Sequence, residues 1–213
     1  MNNFLNDISK WSSSMKLGTA IALGGVVLLG SGILYATSQP STSLITSTTS
    51  SMTIEPIVNE EVEEIIRPYT VNCEVAHYFY EETDTMERKE KSIVSVPGAN
   101  RTYMLSEGCD YTYNDSQFNV VSAISGIVSD KIVDPTFGNI VIITHESGVK
   151  FVYASLSECK VNKGQEVIQG EVVGLAGTSL YTTGLGNSLH FEIIKEGKHL
   201  NPEKLYSSSI ESL

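Results

Sequence analysis

The chain has 213 residues and a formal net charge of −11, and 41% of its residues are apolar. This length and composition allow one ordinary domain with a packed core, together with additional segments. Nucleic-acid binding is not expected of so acidic a chain, because phosphate contacts need clustered Lys and Arg. Three widely separated cysteines, Cys73, Cys109 and Cys159, do not have metal-ligand spacing. They leave open either three free thiols or one disulfide with a remaining thiol.

The stretch LGTAIALGGVVLLGSGILYA, residues 17–36, contains no charged residue. As a helix it would reach about 30 Å, the thickness of the hydrocarbon core of a bilayer. The apolar part of a cleaved signal peptide is usually shorter, about 7–15 residues, so an uncleaved anchor is favoured. Lys10 and Lys16 precede the span, and the positive-inside rule places residues 1–16 in the cytoplasm and the rest of the chain outside.

Residues 37–66 read as a linker, Ser/Thr-rich at first and acidic later. Two-thirds of residues 37–54 are Ser or Thr, a composition that cannot bury enough apolar surface to order itself. We therefore expect a flexible tether that holds a domain away from the membrane. The segment 59–66 could form a short helix with Asn59 as its cap and acidic residues in its first turn.

From Tyr69 onward, short apolar stretches are punctuated by Gly, Asn, Asp or Pro. In TVNCEVAHYFY the apolar residues alternate, and His77 falls on the same face as Val75 and Phe79. No long helical periodicity interrupts this pattern up to Glu196. The prediction is an all-β domain of antiparallel sheets, as a sandwich or an open barrel.

Four ordered motifs carry a family resemblance: NVVSAISGIV, FGNIVIITHESGVKFVYASLS, VNKGQEVIQGEVVGLAGT and SLHFEI. Together they resemble the LytM-type domain of the M23 peptidase family. The resemblance implies a small antiparallel β-sheet fold of the duplicated-hybrid-motif type, with an active-site groove, over residues 105–206. Residues 67–104 then form a β extension before the domain, and residues 207–213 form a C-terminal tail. Working members of the family cut peptide cross-links in peptidoglycan.

Family members hold catalytic zinc with a His-x-x-x-Asp pair and the second His of a His-x-His pair. The resemblance places Ser106 at the first of these positions, and it retains Asp110 and His190 at the other two. A register shifted by one residue would use Glu107 and Tyr111 instead, and neither register contains a histidine. Because a serine hydroxyl is a poor zinc ligand and catalytic zinc takes three protein ligands, we expect the metal site to be lost, with no cofactor.

The two catalytic partner histidines of the family are also replaced, by Ser155 in YASL and by Ser188 in SLH. We therefore expect no catalytic residues and a pseudoenzyme with serine at three histidine positions. The other histidines do not replace them in the sequence pattern. His145 matches a family position outside the metal site, His77 lies outside the matched region, and His199 is expected to face solvent.

A narrower resemblance covers about residues 15–206 and includes RPYTVNCEVAHYFYEE, the serine in YASLS, and one N-terminal span followed by a Ser/Thr tether. These features are similar to the stage II sporulation protein Q family of endospore-forming bacteria. The resemblance implies a single-pass protein of the forespore membrane, with its domain in the space between forespore and mother cell. There it would dock with the mother-cell protein SpoIIIAH, support engulfment and form part of a channel, with ring formation left open.

Other functions remain as alternatives at this point. The groove could serve a peptidoglycan-binding module or an activator of a cell-wall hydrolase, and a residual zinc endopeptidase is a weaker alternative. A serine hydrolase built from Ser106 or Ser188 with His190 and Asp110 has no supporting nucleophile elbow. The partner-binding surface is not predicted from the sequence.

Overall fold

The computed structural model describes residues 62–97 and 102–213. The predicted cytoplasmic segment, the predicted membrane span and the Ser/Thr-rich tether all lie outside these residues. Within the described ranges, no helix has the length and hydropathy that a membrane crossing requires. The proposed helix cap Asn59 also lies outside them.

The described residues form twelve β-strands, one short α-helix and two single-turn 3-10 helices. The strands are β1 (Glu74–His77), β2 (Ile93–Val96), β3 (Thr102–Leu105), β4 (Cys109–Thr112), β5 (Asn119–Val121), β6 (Gly126–Asp134), β7 (Gly138–Thr144), β8 (Lys150–Cys159), β9 (Glu166–Val167), β10 (Val172–Ala176), β11 (Ser188–Lys195) and β12 (Lys198–Leu200). The helix is α1 (Met86–Glu90), capped by Thr85, and the 3-10 helices are η1 (Pro202–Lys204) and η2 (Ile210–Ser212).

Ten strands make one antiparallel sheet with the main order β1-β4-β11-β8-β7-β6-β9. Strand β12 pairs with β11, and β10 pairs with both β5 and β8. Strands β2 and β3 form a separate antiparallel pair. The prediction of an all-β, antiparallel domain is confirmed for the part of the chain that the structure describes.

Strand β11 carries apolar side chains on one face and polar side chains on the other. Its residues alternate between two faces, as in any strand. Leu189, Phe191 and Ile193 lie on the core side and are fully buried. Ser188, His190 and Glu192 lie on the opposite side and are also buried. A strand buried on both faces usually carries apolar residues throughout, so three polar side chains there need partners of their own.

The first described residues pair with the C-terminal segment of the chain. The backbone of Ile65 donates to the carbonyl of Ser208 and accepts from Ser207, at 3.0 and 2.8 Å. The Ile65 side chain belongs to the main core, as does that of Ile210. The prediction of a short helix over 59–66 is therefore wrong for its described part, because these residues are extended and paired. Ile65 and Ile210 thus pack in one core, from opposite ends of the described chain.

Candidate functional site

Strands β4 and β11 are neighbours, and their register places Asp110 directly opposite His190. The Nδ1 atom of His190 lies 2.6 Å from Oδ1 of Asp110. Tyr111, one residue along, opposes Leu189 and points into the core. The structure thus brings together Asp110 and His190 and places Tyr111 on the other face, which favours the Ser106–Asp110 register over the shifted one.

The second ring nitrogen of His190 is also engaged. Its Nε2 lies 2.8 Å from Oε1 of Glu192, two residues along the same strand. Ionised carboxylates only accept hydrogen bonds, so both ring nitrogens must donate and the ring is an imidazolium. Burial opposes this charge, but the charges and hydrogen bonds of Asp110 and Glu192 outweigh burial and raise the pKa of His190 to about 10.

Two further histidines contact the same carboxylates, so that imidazoles and carboxylates alternate along a row. Nδ1 of His77 lies 2.8 Å from Oδ2 of Asp110, so a residue outside the family match reaches the site. At the other end, Nδ1 of His199 lies 3.1 Å from Oε2 of Glu192, an ion-pair contact without aligned hydrogen-bond geometry. Burial raises the pKa of Glu192, yet the two histidines beside it lower that pKa to about 2.

Three of the histidine assignments can be compared with the structure. The prediction that His199 faces solvent is wrong, because only 17% of its side chain is exposed and it contacts Glu192. The alternation that puts His77 on the face of Val75 is wrong for His77, because a register shift between these two residues sets His77 opposite Asp110. His145 bonds Ser147 at a turn, outside the site, as predicted.

The three serines that stand at histidine positions are buried and bonded elsewhere. The Ser106 hydroxyl donates to the carbonyl of Gly108 at 2.9 Å. Ser155 exchanges a hydrogen bond with Ser179 at 2.7 Å. The Ser188 hydroxyl makes long contacts to the backbone carbonyls of Gly177 and Gly186, at 3.5 and 3.4 Å. With both His190 nitrogens already donating to carboxylates, that ring has no lone pair with which to activate a serine, which argues against a serine hydrolase.

Aromatic rings cover His190 from above. The ring of Tyr181 meets it edge-on at 4.6 Å between centroids, and Phe137 stacks on Tyr181 at the same separation. His190 is 1% exposed and Asp110 is fully buried. The groove that the family resemblance implies is therefore not open to solvent at these residues.

Zinc, which the family resemblance implies, does not fit these donors. A zinc-bound histidine turns one ring nitrogen to the metal, whereas the two nitrogens of His190 lie 2.6 Å from Asp110 and 2.8 Å from Glu192 and are both occupied by carboxylates. The Ser106 hydroxyl is committed to a backbone carbonyl. In the described ranges, no group of three or more His, Cys, Asp or Glu side chains is arranged to hold a metal ion.

The cysteines take no part in the site. Cys73, Cys109 and Cys159 are free thiols in the structure. Burial raises the pKa of Cys73 and of Cys109 to about 12, which keeps both thiols protonated and unreactive near neutral pH.

Comparisons with known proteins agree with this fold. The sequence profile of peptidase family M23 matches residues 105–202. Stage II sporulation protein Q of Bacillus subtilis (strain 168) is 36% identical over 159 residues, 73% of this chain and 55% of that protein. Peptidoglycan DD-endopeptidase ShyA of Vibrio cholerae is 35% identical over 85 residues, 40% of this chain and 19% of that protein. The chain thus spans at most about half the length of these relatives.

Solved structures give the same assignment. A chain in a structure of the SpoIIQ–SpoIIIAH pore-forming complex is 36% identical, with a TM-score of 0.67 over 71% of this chain and 96% of that one. A second structure of a SpoIIIAH and SpoIIQ complex matches at 37% identity and a TM-score of 0.63, over 66% and 99% of the two chains. The chain therefore belongs to the stage II sporulation protein Q family, and its residues 105–202 form a peptidase family M23 domain.

Proposed function

We propose that this chain is a non-catalytic, membrane-anchored scaffold of sporulation. It docks from the forespore side with a SpoIIIAH-like protein of the mother-cell membrane and contributes to the engulfment complex and to a channel between the two cells. The observation that carries the non-catalytic part is the buried His190 ring, whose two nitrogens contact the carboxylates of Asp110 and Glu192 at 2.6 and 2.8 Å.

The chemistry of M23 peptidases needs features that these residues do not supply. A catalytic zinc lowers the pKa of its bound water to about 7, and nearby groups then exchange protons with substrate. Here the remaining histidine of the motif is a structural cation, and serines occupy both partner positions. The same residues are shielded from solvent by Tyr181 and Phe137. Serines at both partner positions and a covered His190 support a scaffold role rather than hydrolysis.

The docking role rests on kinship and on the surface. Relatives at 36–37% identity occur in structures of SpoIIQ with SpoIIIAH. The acidic charge of −11 favours a basic patch on the partner and would speed encounter at low salt. The predicted span and tether would place the domain in the space between the two membranes, where a partner anchored opposite could reach it.

A crosslinking capture from sporulating cells tests the docking role. The full-length chain carries an affinity tag, and the captured proteins are identified by mass spectrometry. We expect a SpoIIIAH-like membrane protein, and its association rate with the purified chain should fall as salt rises. A form without residues 17–36 serves as the control for the anchor. Retention on insoluble cell wall with no membrane partner would instead favour the peptidoglycan-binding alternative.

A separate measurement tests the non-catalytic role. Purified chain is incubated with wall-derived peptides, with and without added zinc, and its metal content is determined. We expect no cleavage and no stoichiometric zinc. Cleavage that a chelator abolishes would show that the chain is an active zinc endopeptidase, whatever partner it binds.

A further inference from the structure

Residues 178–187 connect β10 to β11 and lie over the buried His190; we call them the lid. The backbone amide of Tyr181 donates to the carbonyl of Thr136 at 2.9 Å, which ties the lid to the turn between β6 and β7. At its far end the side-chain amide of Asn187 donates to the carbonyl of Asp115 at 3.0 Å. The lid is therefore attached at both ends to neighbouring loops.

The underside of the lid is filled by one aromatic residue. Tyr181 is almost completely buried, with its ring against His190 and its hydroxyl 3.5 Å from Oγ of Ser106. Val94 and Val96 of the separate β2–β3 pair belong to the same small core as Tyr181. The ring thus occupies the space above the row of imidazoles and carboxylates, and it is itself covered by a second layer.

Three hydroxyl groups fasten the lid to the sheet; we call Ser155, Ser179 and Thr182 the hydroxyl latch. Oγ of Ser155 lies 2.7 Å from Oγ of Ser179, which lies 3.1 Å from Oγ1 of Thr182. Oγ1 of Thr182 lies 3.4 Å from Oγ of Ser155 and closes the triangle. Ser155 and Thr182 are buried, so each hydroxyl would lose a hydrogen bond that water cannot replace if its partner were removed.

The backbone around Ser155 directs its side chain to the lid. In the β7–β8 register, two residues of β8, Ala154 and Ser155, stand opposite Ile140 alone, which is the arrangement of a bulge. Ser155 has a φ of +61°, an unfavourable value for a residue with a side chain. Its amide donates to the carbonyl of Phe137 at 2.8 Å, which holds the bulge in place.

We propose that Ser155 is a positioning residue whose small hydroxyl allows the lid to close and then holds it closed, so that the chain seals its own former cleft. An imidazole at this position would need the space that the hydroxyls of Ser179 and Thr182 now fill at hydrogen-bond distance. Replacing histidine by serine at this position therefore does more than remove a catalytic group. It leaves room for the lid to cover His190, with the Tyr181 ring packed against the imidazole.

This inference extends the proposed scaffold function and can fail independently of it. Hydrogen exchange of the full-length chain in detergent, followed by mass spectrometry, measures opening of the lid peptide. Removing one latch hydroxyl, by Ser155→Ala or Thr182→Val, should speed exchange in residues 178–187 by about tenfold or more, because each of these hydroxyls contacts both of the others. Ser155→His should speed it further, while peptides from β7 and β11 stay protected.

Matched variants separate the latch from general destabilisation. Thr182→Ser keeps a hydroxyl and should exchange like the parent chain. Thr183→Val removes an exposed hydroxyl that bonds only the carbonyls of the lid itself, and it should also leave exchange unchanged. The proposal is overturned if lid exchange in Ser155→Ala and Thr182→Val equals that of the parent, or if Thr183→Val has the same effect. If Ser155→His loses protection from hydrogen exchange throughout the core, the variant is unfolded, and Ser155→Ala and Thr182→Val alone decide the outcome. The proposed docking function is tested separately, by capture of the partner.

Discussion

Replacing His190 by glutamine removes the positive charge between two buried carboxylates. Asp110 and Glu192 would then face each other across a neutral amide, although each keeps one imidazole, from His77 and His199. Removing one member of a buried ion pair typically costs about 3–5 kcal/mol, a large part of the roughly 5–15 kcal/mol that stabilises a domain. For a domain of this size that corresponds to a fall in melting temperature of roughly 6–20 °C.

Thermal unfolding followed by circular dichroism measures this loss, with and without zinc and with and without a chelator. The same substitution at His145, which bonds only the adjacent turn, is the matched control and should change stability by less than about 0.5 kcal/mol. Neither zinc nor chelator should move the melting temperature of the parent chain. A loss below about 1 kcal/mol at His190, or a parent chain that a chelator destabilises, would refute the assignment of this ring as a structural cation.

Three further predictions concern pH and packing. The pKa of His190 is about 10 in the folded chain, above its ordinary 6.5, so its stabilising effect is complete below pH 6.5 and is lost as pH rises toward 10. Between pH 6.5 and pH 10, the melting temperature of the parent chain should therefore fall more steeply with pH than that of His190→Gln. In Gly108→Ala the new Cβ would lie 2.3 Å from a backbone carbonyl oxygen of β11, so we expect a loss of about 1–3 kcal/mol in chemical unfolding. Gly148→Ala meets no atom within 4 Å and should cost only the strain of its positive φ, about 1 kcal/mol. Ile65→Ala should lower the free energy of unfolding by about 2–5 kcal/mol because Ile65 lies in the core. Its exposed neighbour is the control, and Ile66→Ala should change stability by less than about 0.5 kcal/mol. Equal effects would indicate that Ile65 does not pack in the core.

The fold was largely predictable from the sequence because alternation and turn residues are local signals. Val75 and Phe79, which the alternation places on one face, do pack against the core, whereas a register shift sets His77 opposite Asp110. The segment 62–66 was not predictable in the same way. Its acidic residues favour a helix end locally, but Ile65 is held extended by backbone bonds to residues more than 140 positions away in sequence. Tertiary pairing of this kind leaves no local pattern.

The site was predicted in part. The resemblance to the M23 family implies Asp110 and His190, and the structure places them together. Glu192 was missed although a signal existed, since a residue two positions after His190 in a strand must share its face. His77 and His199 reach the site through pairing of β1 with β4 and of β12 with β11, which sequence spacing does not encode.

The most direct test of the account is the protonation state of His190. Nitrogen-15 labelling of histidine, with His190→Gln to assign its resonances, reports both ring nitrogens of the full-length chain by NMR. We predict that both nitrogens carry a proton at neutral pH and that added zinc leaves their resonances unchanged, because Asp110 and Glu192 hold the ring as a cation. An unprotonated nitrogen whose resonance shifts when zinc is added would contradict the account.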